Sequence, residues 1–92
     1  MKKVRLTAVF HGTVQGVGFR YATQRLAVRR PVDGFVKNEH TGTVLLVAEG
    51  AETELKAFLD TIKTSRLGRL VKRVEESWGP ATNDYKSFDI RY

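Results

Sequence analysis

A change of hydrophobic period near the N-terminus dictates the first structural unit. Val4, Leu6, Ala8 and Phe10 alternate with Arg5 and Thr7, a period of two that predicts a half-buried strand over residues 4–10. From Phe19 to Arg29 the period becomes helical, with Phe19, Ala22, Leu26 and Ala27 on the inner side, and Pro31 stops the helix. The strand and helix are joined by Gly12-Thr13-Val14-Gln15-Gly16-Val17-Gly18, a stretch whose glycines let the backbone curl.

The remaining elements follow from the same signals. Asp33-Gly34 predicts a turn, Phe35 to Asn38 a short strand, and Glu39-His40-Thr41-Gly42 a hairpin turn. Thr43 to Ala48 returns as a strand apolar on both faces, which predicts a central position, and Gly50 ends it. Leu55, Phe58, Leu59 and Ile62 then repeat at helical spacing, with Glu52 and Glu54 in the first turn where the helix dipole favours them. A basic turn, Arg66-Leu67-Gly68-Arg69, leads to a strand near Leu70 to Trp78, broken by Gly79-Pro80. Phe88, Ile90 and Tyr92 alternate in a closing strand. The order β-α-β-β-α-β predicts an α+β, ferredoxin-like sandwich. Its antiparallel sheet carries both helices on one face and a short C-terminal strand. The other face is expected to stay open to solvent or ligand.

Length and composition narrow the chemistry. Residues 1–92 read as one domain, since 92 residues leave no room for a second core. The chain has no cysteine, which excludes disulfides, thiolate metal sites and a cysteine nucleophile. After Lys2-Lys3, Arg5, His11 and Gly12 interrupt any apolar run, so neither an export signal nor a membrane span is expected and the cytoplasm is the default location. Sixteen basic against 10 acidic residues give a net charge of +6, which draws anionic partners without naming one.

The glycine-bearing stretch is the sharpest chemical feature. A loop that ends a strand and opens a helix gathers unpaired backbone N–H groups at one spot, where the helix terminus already favours an anion. Arg20 follows one turn in, and its planar, permanently charged fork grips two phosphate oxygens at once. No Gly-Lys-Ser/Thr follows, as a Walker A loop requires, and Tyr21 stands where the dinucleotide fingerprint needs its third glycine. A compact site for one phosphoryl group fits better, against the plainer reading of an ordinary glycine loop beside an exposed arginine. His11 and His40 are the only histidines, and neither has the spacing of a metal site; His11 is expected at the surface. Asp33 is expected to shape its turn, and Thr43 to be an ordinary strand threonine.

The run Val14-Gln15-Gly16-Val17-Gly18-Phe19-Arg20 resembles the phosphate-loop signature of the acylphosphatase family. Gly34-Phe35-Val36-Lys37-Asn38 followed by Gly42-Thr43-Val44 resembles that family's second signature, and Phe88-Asp89-Ile90-Arg91-Tyr92 its usual ending. Phe35 replaces the usual tryptophan, and Leu67-Gly68-Arg69-Leu70 stands where a proline-alanine pair is common.

The resemblance implies a hydrolase that cleaves acyl phosphates to carboxylate and inorganic phosphate. The loop formed by Gln15, Gly16, Val17, Gly18, Phe19 and Arg20 would hold the phosphoryl group, and Asn38 would position the attacking water. The resemblance implies a small-molecule substrate, no cofactor and no metal, and a monomer that binds neither nucleic acid nor membrane. Two alternatives compete. One is a domain that binds a phosphorylated ligand without turnover, for which Asn38 is superfluous. The other is a nucleic-acid-binding module of the same fold class, which requires aromatics on neighbouring central strands; Val44 to Val47 offers none.

Overall fold

The computed structural model describes residues 2–92. Strand β1 (Lys3–Gly12) is followed by helix α1 (Phe19–Ala27), strands β2 (Asp33–Asn38) and β3 (Val44–Ala51), helix α2 (Glu52–Thr64), a 3₁₀ segment at Arg66–Leu70, and strands β4 (Val71–Pro80) and β5 (Phe88–Arg91). The sheet order is β4-β1-β3-β2-β5. The first four strands pair antiparallel, and β3 lies at the centre as its two apolar faces predict. The closing strand adds a parallel edge to β2, so the sheet is mixed.

Register explains the layers. Leu6 faces Ala48, Ala8 faces Leu46 and Phe10 faces Val44, while Val36 lies between Leu46 and Ile90. All but the half-buried Ile90 are fully buried, on the face covered by the helices. Helix α2 seats Leu55, Phe58, Leu59 and Ile62 there, each contributing about 1.5–3 kcal/mol of burial. Phe58 meets Phe88 edge-on at 5.8 Å between ring centroids, and Phe10 meets Phe19 at 5.1 Å. Strand β4, at one edge, carries Lys72, Arg73, Glu75 and Glu76 exposed, a charged border that discourages pairing with another chain.

Helix α1 sits differently from its predicted orientation. Its buried stripe is Phe19, Thr23 and Ala27, while Ala22 and Leu26 flank it half-exposed. It ends at Ala27, two residues before Arg29, where N–H groups of Arg29 and Arg30 reach back only three residues to Leu26 and Ala27 and tighten the final turn.

The glycines predicted as punctuation are partly inside strands. Asp33-Gly34 begins β2, Gly50 lies within β3, and Gly79-Pro80 closes β4. Gly34 has φ 147°, and a Cβ there would meet the Val47 carbonyl oxygen at 1.9 Å. Close approach of two strands, not a reversal, is what requires glycine at this position.

The outer face of the sheet is also less open than expected. Residues 81–87 lie against it. Glu49, 3% exposed, accepts the N–H groups of Thr82 and Asn83 at 2.9 Å each and the Arg5 Nε–H at 2.8 Å. Tyr85 packs against Phe35 at a tilt of 56°, ring centroids 5.8 Å apart, and the Arg91 guanidinium covers the same ring at 4.0 Å. Burial pushes the Glu49 carboxyl up, but the Thr82 N–H, Arg5 and Asn83 N–H bonds outweigh it and hold the group below the ordinary carboxylate range.

Candidate active site

The loop after β1 is built from backbone geometry. A bulge at His11/Gly12 bends the end of β1, and the Thr13 N–H bonds the Leu70 carbonyl at 2.9 Å. Gly16 and Gly18 both take the left-handed conformation, with φ 76° and 77°. Gly18 is the N-cap of α1, at φ 77° and ψ 19°. Its glycine therefore costs no helix-interior stability; it provides a bend that a side chain would strain by about 1–2 kcal/mol.

The helix that follows is short of its own counter-charges. The first turn of α1 contains no acidic residue and Gly18 supplies no side-chain cap, whereas α2 carries Glu52 and Glu54 in its first turn. The partial positive charge at the start of α1 is left for an external anion.

A cavity of about 170 Å³ opens at this point, lined by Gly16, Gly18, Phe19, Arg20 and Asn38 together with Val14, Tyr21, Ile90 and Tyr92. Residues from the two sequence motifs thus meet at one place, since Asn38 ends β2 beside the curled loop. Gln15 and Val17 are not part of the lining. The Gln15 side chain turns instead to the β2–β3 hairpin, where Nε2 donates to the carbonyls of Glu39 at 2.7 Å and Thr43 at 2.8 Å. It ties the loop to the hairpin that begins at Asn38, a role that the sequence pattern did not reveal.

The Arg20 guanidinium is oriented from the far end of the chain. Its Nη1 donates to the Arg91 carbonyl at 3.0 Å, and its Cζ lies 4.8 Å from the centre of the Tyr92 ring. One donor is thereby used for positioning, and the rest of the fork is left to face a ligand. Thr43 is buried at 7% exposure, its hydroxyl 2.8 Å from that of Thr41 and 3.5 Å from Glu39 Oε1.

His11 lies at the end of β1, half-exposed, 2.8 Å from Glu75 Oε2 and 3.2 Å from Arg73. The His11 hydrogen bond, with Arg73 nearby, holds Glu75 below the ordinary carboxylate range. Among the described residues no three His, Asp or Glu side chains converge as metal ligands.

The chain matches the acylphosphatase family model over residues 6–90. It is 43% identical over 89 residues to an acylphosphatase of Arthrobacter sp. (strain FB24), covering 97% of this chain and 82% of that one. It is 40% identical over 92 residues to an acylphosphatase of Geobacillus thermodenitrificans, covering 100% of this chain and 96% of the relative. The crystal structure of acylphosphatase from Bacillus subtilis superposes with a TM-score of 0.88 at 32% identity, over 97% of this chain and 99% of that one.

Proposed function

This chain belongs to the acylphosphatase family and hydrolyses acyl phosphates; we propose that it does so with the Gly16–Arg20 loop as phosphate clamp and Asn38 as holder of the attacking water. The observation that carries this reading is the single cavity in which Gly16, Gly18, Arg20 and Asn38 meet.

The substrate is a mixed anhydride whose leaving group, a carboxylate, is stable at neutral pH without a proton. Little acid–base work is needed. The Asn38 amide can orient a water by hydrogen bonding but cannot deprotonate it. As the water oxygen bonds to phosphorus, the bridging P–O bond breaks and its electron pair leaves on the carboxylate. The water's protons pass to the phosphate product and to solvent. Charge on the equatorial oxygens is met by loop N–H groups, the start of α1 and the Arg20 fork. No cofactor or metal enters this scheme.

Two side-chain removals separate the roles. Arg20→Ala removes both charge and clamp, with a loss of about 10²–10³ in kcat and weakened phosphate binding. Asn38→Ala keeps the clamp, so inorganic phosphate still binds while turnover falls by about 10² or more. Benzoyl phosphate hydrolysis and phosphate titration of both variants test the scheme; full activity in Asn38→Ala refutes the water-holding role.

The nucleic-acid alternative gains nothing from β2, the strand paired with β3. Phe35 lies under Arg91 and Tyr85 at 8% exposure and presents no free face to a base. We read the chain as a monomer acting in the cytoplasm on a small substrate. Among the described residues, no helix is long and apolar enough to cross a membrane.

A further inference from the structure

Glu49 is the only buried charged side chain among the described residues, 3% exposed, and it lies outside the phosphate cavity. It projects from β3 onto the sheet face away from the helices. Its Oε2 accepts the Arg5 Nε–H at 2.8 Å, the Thr82 N–H at 2.9 Å and the Thr82 hydroxyl at 3.2 Å, and its Oε1 accepts the Asn83 N–H at 2.9 Å. The left-handed bend at Asn83, φ 61°, lets two successive N–H groups reach one carboxylate. Arg5 adds bonds from Nη2 to the Thr82 hydroxyl at 2.7 Å and to the Tyr85 hydroxyl at 3.5 Å. Residues 81–87 have no helix or strand of their own, so this carboxylate is what pins them.

The pinned segment runs into the strand that braces Arg20. β5 is four residues long, at the edge of the sheet with β2 as its one neighbouring strand. On the helix side, Gln24 Nε2 donates to the Phe88 carbonyl at 3.3 Å and holds the near end of β5. The far end carries Arg91 and is seated from the outer face. There the Arg91 guanidinium lies 4.0 Å from the centre of the Phe35 ring and 5.8 Å from that of Tyr85, while Arg5 lies 5.4 Å from the Tyr85 ring. The Arg91 carbonyl accepts Arg20 Nη1 at 3.0 Å. We propose that Glu49 is a positioning residue for hydrolysis: by clamping Thr82 and Asn83 it seats Tyr85 against Arg91, and so fixes the carbonyl that orients the Arg20 guanidinium. The proposal rests on Arg20 as the phosphate clamp and extends its support to the opposite face of the sheet.

Glu49→Gln keeps the side chain's size but turns one acceptor into a donor facing N–H groups. Benzoyl phosphate kinetics and inhibition by inorganic phosphate are measured well below the Tm of each variant. A displaced Arg20 lowers kcat and raises the phosphate inhibition constant, each by about threefold to tenfold. Tyr85→Leu moves both in the same direction, and carries the test should Glu49→Gln not fold. The Arg20 Nε–H resonance shifts in either variant. In an Arg20→Ala background neither substitution lowers kcat further, whereas damage spread through the fold adds in full. A lowered Tm with kcat, phosphate inhibition and the Arg20 resonance as in wild type marks a purely structural carboxylate and overturns the proposal. A loss that persists in Arg20→Ala overturns it equally. Full activity in Arg20→Ala refutes the clamp and this proposal with it; an impaired Arg20→Ala beside unimpaired Glu49→Gln and Tyr85→Leu refutes this proposal alone.

Discussion

Replacing Gln15 with methionine removes two donors while keeping the side chain's length, and its cost can be worked from the partners. The Glu39 carbonyl still accepts the Gly42 N–H at 3.1 Å, and the Thr43 carbonyl still accepts the Glu39 N–H at 2.9 Å. Neither acceptor is orphaned. Only the net worth of two hydrogen bonds is lost, about 0.5–1.5 kcal/mol each, so about 1–3 kcal/mol in total is expected. In a domain of this size that lowers Tm by roughly 10 °C and moves the urea midpoint by about 1 M.

Catalysis suffers through geometry. Gln15 ties the loop that leads to Arg20 to the hairpin that starts at Asn38, and a shift of about 1 Å between reacting groups costs about 10² in rate. A loosened tie therefore predicts a kcat about tenfold lower or worse. Phosphate affinity changes little, because the clamp itself is intact. Urea denaturation followed by circular dichroism, and benzoyl phosphate kinetics well below Tm, measure both effects on one preparation. A melting curve superimposable on wild type, with undiminished kcat, would show that the tie carries no load.

Gly34→Ala is expected to be severe: its Cβ meets Val47 backbone at 1.9 Å and φ 147° is strained for a side chain, so a loss on the order of 3 kcal/mol is expected in urea titration. Glu49 has a lowered pKa, so its stabilising contribution is complete above the unfolded carboxyl value of about 4.3 and is lost as pH falls through its folded value. Hydrogen-exchange protection of the Thr82 and Asn83 amides should fall as the pH drops below the unfolded carboxyl value and through the lower folded one; protection that persists through full acid titration would contradict the carboxylate's role. Chelation by EDTA should leave hydrolysis unchanged, and a loss restored by a divalent ion would require a metal in the mechanism.

Local pattern made most of the architecture legible. The alternation from Val4 to Phe10 and the spacing of Leu55, Phe58, Leu59 and Ile62 name their buried faces, because burial of one face imposes the period of the element. Glycine is more ambiguous. It marks an unusual backbone, and at Gly18 that is a bend, but at Gly34 it is a close approach between strands. The Phe19–Ala27 helix also looked half a step rotated, since Thr23 reads as polar yet points inward with 0% exposure.

The two motifs of the candidate site were readable as motifs because each needs particular residues at fixed local spacing. Their union was not. Asn38 reaches the loop only through the pairing of β2 with β3, Gln15 finds carbonyls 24 and 28 residues away, and Arg20 is braced by a carbonyl 71 residues away. Arg25, Arg29 and Arg66 likewise line one groove only because α1 and the 3₁₀ segment are brought side by side. Sequence by itself determined which segments become strands and helices and which face of most of them avoids water, since those follow from interactions within a few residues. Tertiary structure alone decided where side chains end and what they touch, because strand register and chain closure set distances between groups that the local pattern leaves independent.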